Sequence, residues 1–162
     1  MDTPSVLVTD CQLVGPAGLS PIAAARIEKG RLAAIYQEGE AFEQGPDIIL
    51  EVAGGYLAPG LIDLHTHGGF GVDFTTCTAA EGLECLEQYV PYGTTHIMPT
   101  FVTSPVSQLV AQTDVMEELK KLTEVSGYKG ARYAGLFWEG PFISKRSKST
   151  RLNSSHRIRS RM

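Results

Sequence analysis

The stretch that decides the fold is Pro59-Gly-Leu-Ile-Asp-Leu-His-Thr-His-Gly-Gly69, a turn followed by a short apolar strand and a glycine pair. Alternate side chains of a strand point to one face, so Asp63, His65 and His67 share a face. Two imidazoles at that spacing can bind one divalent ion, with Asp63 one layer deeper in a supporting role. For an isolated His-x-His pair, ordinary hydrogen bonding is the alternative. The whole string favours a metal site.

The residues that follow alternate between strand and helix patterns. A capping box, Thr78 with Glu81, opens a helix that Gly93 ends. Ser104 is expected to cap a second helix, with Pro105 at its first position. Between and after them we expect strands at residues 61–65, 94–98 and 131–137, with the helices running to about residues 92 and 125.

This alternation predicts parallel strands joined by crossover helices, an α/β arrangement. The pattern alone leaves two architectures open, half of a doubly wound sheet or part of an eight-stranded barrel. In a barrel, active sites are built at the carboxyl ends of the strands, where His65 and His67 lie.

Residues 1–57 carry a different pattern, with several short strands and no helix. Lys29-Gly30 predicts a hairpin turn, and residues 48–52 predict a strand that Gly54-Gly55 ends. We therefore expect three parts: a small β domain at 1–57, a series of strand–helix units at 58–144, and a basic tail at 145–162. The tail has the composition of a non-native or disordered extension, in which His156 has no role.

Charge divides the chain in the same way. Residues 1–144 hold all 18 Asp and Glu and seven of the 14 Lys and Arg, a net charge of about −11. Phosphate contacts need clustered bases, so no nucleic-acid partner is expected. No apolar run is long enough for a membrane span, and the N-terminus lacks a signal peptide. The three scattered cysteines, Cys11, Cys77 and Cys85, indicate free thiols of a cytoplasmic protein.

Glu139 stands at the end of the third predicted strand, before Gly140-Pro141. A carboxylate there points into the same mouth as the two histidines and can complete a metal site. An exposed loop glutamate is the alternative, because Glu is usually exposed.

Three motifs together resemble a known family. The Pro-Gly-x-Ile-Asp-x-His-x-His string after a short β segment is similar to the amidohydrolase superfamily. Within it, the chain resembles the N-acetylglucosamine-6-phosphate deacetylase family in three segments. These are His65-Thr-His-Gly-Gly-Phe-Gly-Val-Asp73, Tyr92-Gly-Thr-Thr-His-Ile-Met-Pro-Thr-Phe-Val-Thr-Ser104 and Gly135-Leu-Phe-Trp-Glu-Gly-Pro-Phe-Ile-Ser144.

The resemblance implies a partial (β/α)8 barrel of about three strands behind a small β domain. It places His65, His67 and Glu139 on metal positions, with a divalent ion that is zinc, iron, manganese or cobalt. It implies a hydrolase that removes acetyl from an amino-sugar phosphate, using water activated by the ion, in a cytoplasmic homo-oligomer. The family's general-base aspartate and two further histidines have no counterpart in this sequence, so we expect a fragment that is inactive alone.

Two other functions stay open. The chain could derive from another amidohydrolase, such as a dihydroorotase-like or dipeptidase-like enzyme. Dihydroorotases usually carry Arg two residues after the second histidine, where Gly69 stands here. A non-catalytic barrel fragment that binds no metal is the second alternative.

Overall fold

The computed structural model describes residues 4–42 and 45–142. The chain divides into two compact units between Pro59 and Gly60. The basic segment 145–162, with His156, lies outside the described residues.

The first unit is a four-stranded sheet in the order β3-β2-β1-β4. Its strands are β1 (Val6–Gly15), β2 (Gly18–Glu28), β3 (Arg31–Tyr36) and β4 (Ile48–Leu57). Strands β1, β2 and β3 pair antiparallel, whereas β4 lies parallel to β1. The turn at Lys29-Gly30 is confirmed: both residues have positive φ, at 51° and 72°, as a tight hairpin turn requires.

The prediction that Gly54-Gly55 ends the fourth strand is wrong. Strand β4 continues through both glycines to Leu57. The pairing with β1 shifts at this point: Thr9 faces Glu51, but Cys11 faces Gly55. Asp10, Ala53 and Gly54 take positive φ there, so the glycine marks a bulge rather than a strand end.

The second unit has the predicted α/β order, and its larger sheet is parallel. The strand β5 (Leu61–Thr66) is followed by a two-stranded hairpin of β6 (Gly68–Gly69) and β7 (Val72–Asp73). The chain continues through α1 (Ala79–Tyr89), β8 (Thr94–Phe101), α2 (Val106–Thr123), β9 (Arg132–Tyr133) and β10 (Phe137–Trp138). Strand β8 is central. It pairs in parallel with β5 on one side, and β9 and β10 also pair with β8 in parallel.

The core of the second unit packs the helices against β8. Ile97 and Phe101 of β8 are fully buried among side chains from both helices. Gln112 of α2, also buried, donates to Phe74 O at 3.0 Å and to Cys77 O at 2.7 Å. This amide ties α2 to the segment that leads from β7 into α1, and so to the region that follows the two histidines.

Three details of the second unit differ from the prediction. The helix α1 ends at Tyr89, and a 3-10 turn over Val90–Tyr92 reaches Gly93, whose φ is 85°. Pro105 precedes the first helical residue of α2 instead of occupying it, because its ψ of 136° is extended, and no side chain caps this end. The third strand is interrupted around Gly135, whose φ is 150°, although Ala134 N still donates to Ile97 O.

The capping box at the start of α1 is confirmed. Glu81 N donates to Thr78 Oγ1, and the Glu81 carboxylate accepts from Thr78 N at 2.8 Å. The three cysteines are free thiols, as predicted, and all three are buried. No helix in residues 4–42 or 45–142 is long and apolar enough to cross a membrane.

Candidate metal centre

The structure brings the side chains of His65, His67 and Glu139 together. The histidines belong to β5 and the residue after it, and Glu139 follows β10; these two strands flank the central strand β8. Glu139 Oε2 lies 3.0 Å from His67 Nε2 and 3.5 Å from His65 Nε2. One ligand atom from each residue falls within 4.8 Å of the others. The two imidazole rings meet edge to face, with centroids 5.3 Å apart.

A backbone carbonyl orients the His67 ring through the nitrogen that points away from Glu139. Its Nδ1 lies 3.1 Å from Thr100 O, near the end of β8. A carbonyl oxygen only accepts, so Nδ1 carries the proton and Nε2 keeps its lone pair when the ring is neutral. This leaves the nitrogen that faces Glu139 free to bind a metal, which is how protein histidines are usually prepared for coordination.

The same geometry requires a positive charge between His67 Nε2 and Glu139 Oε2. With Nδ1 protonated, the lone pair of His67 Nε2 faces the negative Oε2 of Glu139 at 3.0 Å. Two acceptors at this distance repel each other unless a cation lies between them. Either a proton on Nε2 or a divalent ion satisfies both atoms. The donor set, two imidazole nitrogens and one carboxylate oxygen, suits a transition metal.

Glu139 is held through its backbone. Its N–H donates to Phe101 O at 3.0 Å, and its carbonyl accepts from Thr103 Oγ1 at 2.8 Å. A Cβ on Gly140 would overlap Thr103 Oγ1, so only glycine allows this approach. The end of β8 therefore fixes both His67 and Glu139.

The glycine-rich hairpin lies beside His67. The His67 carbonyl accepts from Phe74 N at 2.9 Å, and the Asp73 carboxylate accepts from Thr75 N at 2.7 Å. A Cβ on Gly68 would overlap the carbonyl oxygen of Val72, which explains the glycine. His67 and this hairpin line a shallow depression of about 330 Å³. Of the three residues of the group, His67 is the one that lines it.

The group is open to solvent. The side chains of His65, His67 and Glu139 are 50%, 39% and 33% exposed. The His65 ring contacts Phe137 of β10, with centroids 5.1 Å apart and a tilt of 48°. A small molecule can therefore reach the ligand atoms.

Two other polar residues have smaller parts. Asp63 accepts from the backbone N–H of His65 at 3.0 Å, so it supports the histidine strand rather than the ring of either histidine. His96 Nδ1 lies 3.1 Å from Thr95 Oγ1, and His96 does not belong to the three-residue group. We therefore assign His96 a structural role.

The sequence interpretation missed the residues that orient the ligands. Thr100 acts through its carbonyl, which every residue has, so no sequence signal could have found it. Thr103 carried a weak signal, because a hydroxyl residue next to a turn often bonds to backbone.

The chain is similar in sequence to known proteins. No family model matches the chain. Over 104 residues the chain is 36% identical to N-acetylglucosamine-6-phosphate deacetylase from Homo sapiens, a match that covers 60% of this chain and 24% of the relative. The same-named protein of Bacillus subtilis is 36% identical over 89 residues, which cover 54% of this chain and 22% of that protein. The matches thus span about a quarter of the length of these relatives.

Solved structures agree on the fold. The crystal structure of N-acetylglucosamine-6-phosphate deacetylase from Pasteurella multocida matches 95% of this chain and 42% of its own, with 22% identity and a TM-score of 0.72. The protein of that name from Mycobacterium smegmatis matches 93% of this chain and 39% of its own, at 21% identity and a TM-score of 0.66. The resemblance seen in the sequence is confirmed: over the matched residues, this chain is similar to N-acetylglucosamine-6-phosphate deacetylases.

Proposed function

We propose that this chain is part of a metal-dependent amidohydrolase that removes the N-acetyl group from N-acetylglucosamine 6-phosphate. In this proposal His65, His67 and Glu139 bind a divalent ion, and β5, β8 and the interrupted third strand are the first strands of a (β/α)8 barrel. One observation carries it: Nε2 of both histidines and Oε2 of Glu139 converge, at 3.0 and 3.5 Å. The names of the matched relatives supply the substrate.

Each residue has a defined task in the proposed site. The Thr100 carbonyl holds the proton of His67 on Nδ1, so Nε2 presents a lone pair. Glu139 adds a negative charge that offsets the charge of the ion. A bound divalent ion supplies Lewis acidity, which polarises an amide carbonyl. The donor set is compatible with zinc, iron, manganese or cobalt.

The substrate class is a small amino-sugar phosphate. A variant of the Mycobacterium smegmatis deacetylase was solved in complex with N-acetyl-D-glucosamine-6-phosphate, and this chain resembles it with a TM-score of 0.67 at 23% identity. We propose the same ligand for the protein to which this chain corresponds. Cytoplasmic location, a homo-oligomeric parent enzyme and the division at 1–57 and 58–144 complete the proposal.

Another amidohydrolase activity is the second candidate. A prolidase matches with a TM-score of 0.54 and a D-hydantoinase with 0.53, both below 20% identity. These values are lower than those of the deacetylases, so the deacetylase activity is favoured.

Metal content tests the proposal. We expect the purified chain to retain a divalent ion after dialysis against Zn²⁺ or Co²⁺, measured by elemental analysis. His65→Ala and Glu139→Ala each remove a ligand and should lower the bound metal at least tenfold. His96→Ala is the matched control, because it removes a histidine outside the group. Equal metal content in all four proteins would refute the assignment.

An activity assay distinguishes metal binding from catalysis. The three-residue group is the one candidate metal cluster within residues 4–42 and 45–142, and it contains no acid beyond Glu139 to serve as general base. We expect the 162-residue chain to bind metal and to release no acetate from N-acetylglucosamine 6-phosphate. Acetate release above the metal-only blank would contradict this expectation.

A further inference from the structure

Two side chains of helix α1 bond to the glycine segment next to His67. The Cys85 thiol donates to Gly69 O at 3.4 Å, and Tyr89 bonds to Gly68, one residue nearer to the histidine. The Tyr89 hydroxyl, at the last residue of α1, donates to Gly68 O at 2.8 Å. It also lies 3.3 Å from Thr66 Oγ1, and Thr66 Oγ1 itself donates to Gly68 O at 3.1 Å. The carbonyl that follows His67 therefore accepts from two hydroxyl groups.

The approach of Tyr89 to this loop leaves no spare room. A Cβ on Gly69 would lie 2.7 Å from the Tyr89 hydroxyl oxygen, closer than real Cβ atoms come. The ring also packs edge to face on Phe70, with centroids 5.2 Å apart. Burial raises the pKa of Tyr89, so its hydroxyl remains a donor at neutral pH.

The contacts on both sides of His67 fix its main chain. The carbonyl of His67 accepts from Phe74 N, and the next carbonyl, on Gly68, accepts from Tyr89 and Thr66. The ring of His67 is held by Thr100 O. Backbone and ring are thus restrained separately. From α1, the Tyr89 hydroxyl bonds to the carbonyl of the residue directly after His67, whereas the weaker Cys85 thiol donor bonds one residue further on, at Gly69 O.

We propose that Tyr89 is a positioning residue for His67: its hydroxyl, through Gly68 O, holds the histidine where Nε2 meets Glu139. This inference rests on the proposed metal site. The structure gives Tyr89 no contact with the ligand atoms, so its effect on an ion is indirect. Outer partners of metal ligands typically change metal affinity by about 10- to 100-fold when removed.

The test compares two identical chemical changes on the same segment. Tyr89→Phe removes the hydroxyl and keeps the ring that packs on Phe70. Tyr92→Phe is the matched control, because Tyr92 is 70% exposed and its hydroxyl makes no hydrogen bond to any residue of the described ranges. Both variants, the unmodified chain and His67→Ala are titrated with Co²⁺, and the visible d–d absorption gives affinity and ligand geometry. Thermal melts of the metal-free proteins run in parallel.

We expect Tyr89→Phe to weaken Co²⁺ binding at least tenfold and to change the d–d band, with a melting temperature close to that of Tyr92→Phe. Thr66→Val, which removes the other donor to Gly68 O, should act in the same direction. A Tyr89→Phe protein that binds Co²⁺ like the unmodified chain, while His67→Ala does not, overturns the inference and leaves the metal site standing. A lower melting temperature with unchanged affinity also overturns it. Unchanged binding in His67→Ala overturns the metal site itself.

Discussion

Replacing Gly68 by alanine tests how the glycine hairpin holds His67. Gly68 has a φ of 138°, a region that residues with a Cβ rarely adopt. The added Cβ would also overlap Val72 O and lie 2.9 Å from Val72 C, both backbone atoms that no rotamer change can move. The strands β6 and β7 must therefore separate.

The cost has two parts. The unfavourable φ contributes about 1–3 kcal/mol. Separation breaks the Gly68–Asp73 and Gly69–Val72 pairing, and losing roughly two hydrogen bonds adds about 2 kcal/mol. We expect the free energy of unfolding to fall by about 3–5 kcal/mol.

Gly71→Ala provides the control. Gly71 has a φ of 86° in the same hairpin, yet a Cβ there meets no atom within 4 Å. Its expected cost is conformational alone, about 1–2 kcal/mol. Urea unfolding followed by tryptophan fluorescence measures both variants, and a Co²⁺ titration reports on His67. Equal losses of stability in the two variants would refute the argument that backbone overlap dominates at Gly68.

Two further predictions concern the supports of α1. Gln112→Leu leaves Phe74 O and Cys77 O without their buried donor and should lower the free energy of unfolding by about 2–4 kcal/mol, whereas the exposed Gln108→Leu should change it little; equal urea midpoints would contradict this. Hydrogen bonds from Thr78 hold the pKa of Glu81 below its usual value, so its stabilising effect is present above that usual value and is lost as the pH falls through the lowered one. The stability gap between the unmodified chain and Glu81→Ala should therefore narrow below about pH 4, and a gap that stays constant from pH 7 to pH 3 would contradict the capping role.

The convergence of the site could be predicted because it depends on strand direction. His65, His67 and Glu139 each follow from one rule, that parallel strands end on the same edge of a sheet. The capping box of α1 was equally readable, since Thr78 and Glu81 bond locally. Local chemistry and strand order thus account for the predicted ligand set.

The parts that could not be predicted depend on contacts between distant segments. Gly54-Gly55 reads as a strand end, and only its pairing with β1 turns it into a bulge. Thr100 orients His67 through a carbonyl that carries no side-chain signal. Tyr89 reads as an ordinary residue of an amphipathic helix, because its task becomes visible only when the glycine hairpin folds against α1.

The position of Glu139 has a thermodynamic consequence for the chain. His67 and Glu139 are about 70 residues apart in sequence. They follow β5 and β10, which lie on opposite sides of β8, and their side chains meet. An ion that joins them would act as a cross-link, closing a loop that contains β8 and both helices. By the entropy of closing a loop of that length, a permanent link is worth about 4 kcal/mol. An ion at this site would thus be a reversible cross-link between the segments that follow β5 and β10, and its withdrawal would remove this contribution to the free energy of unfolding.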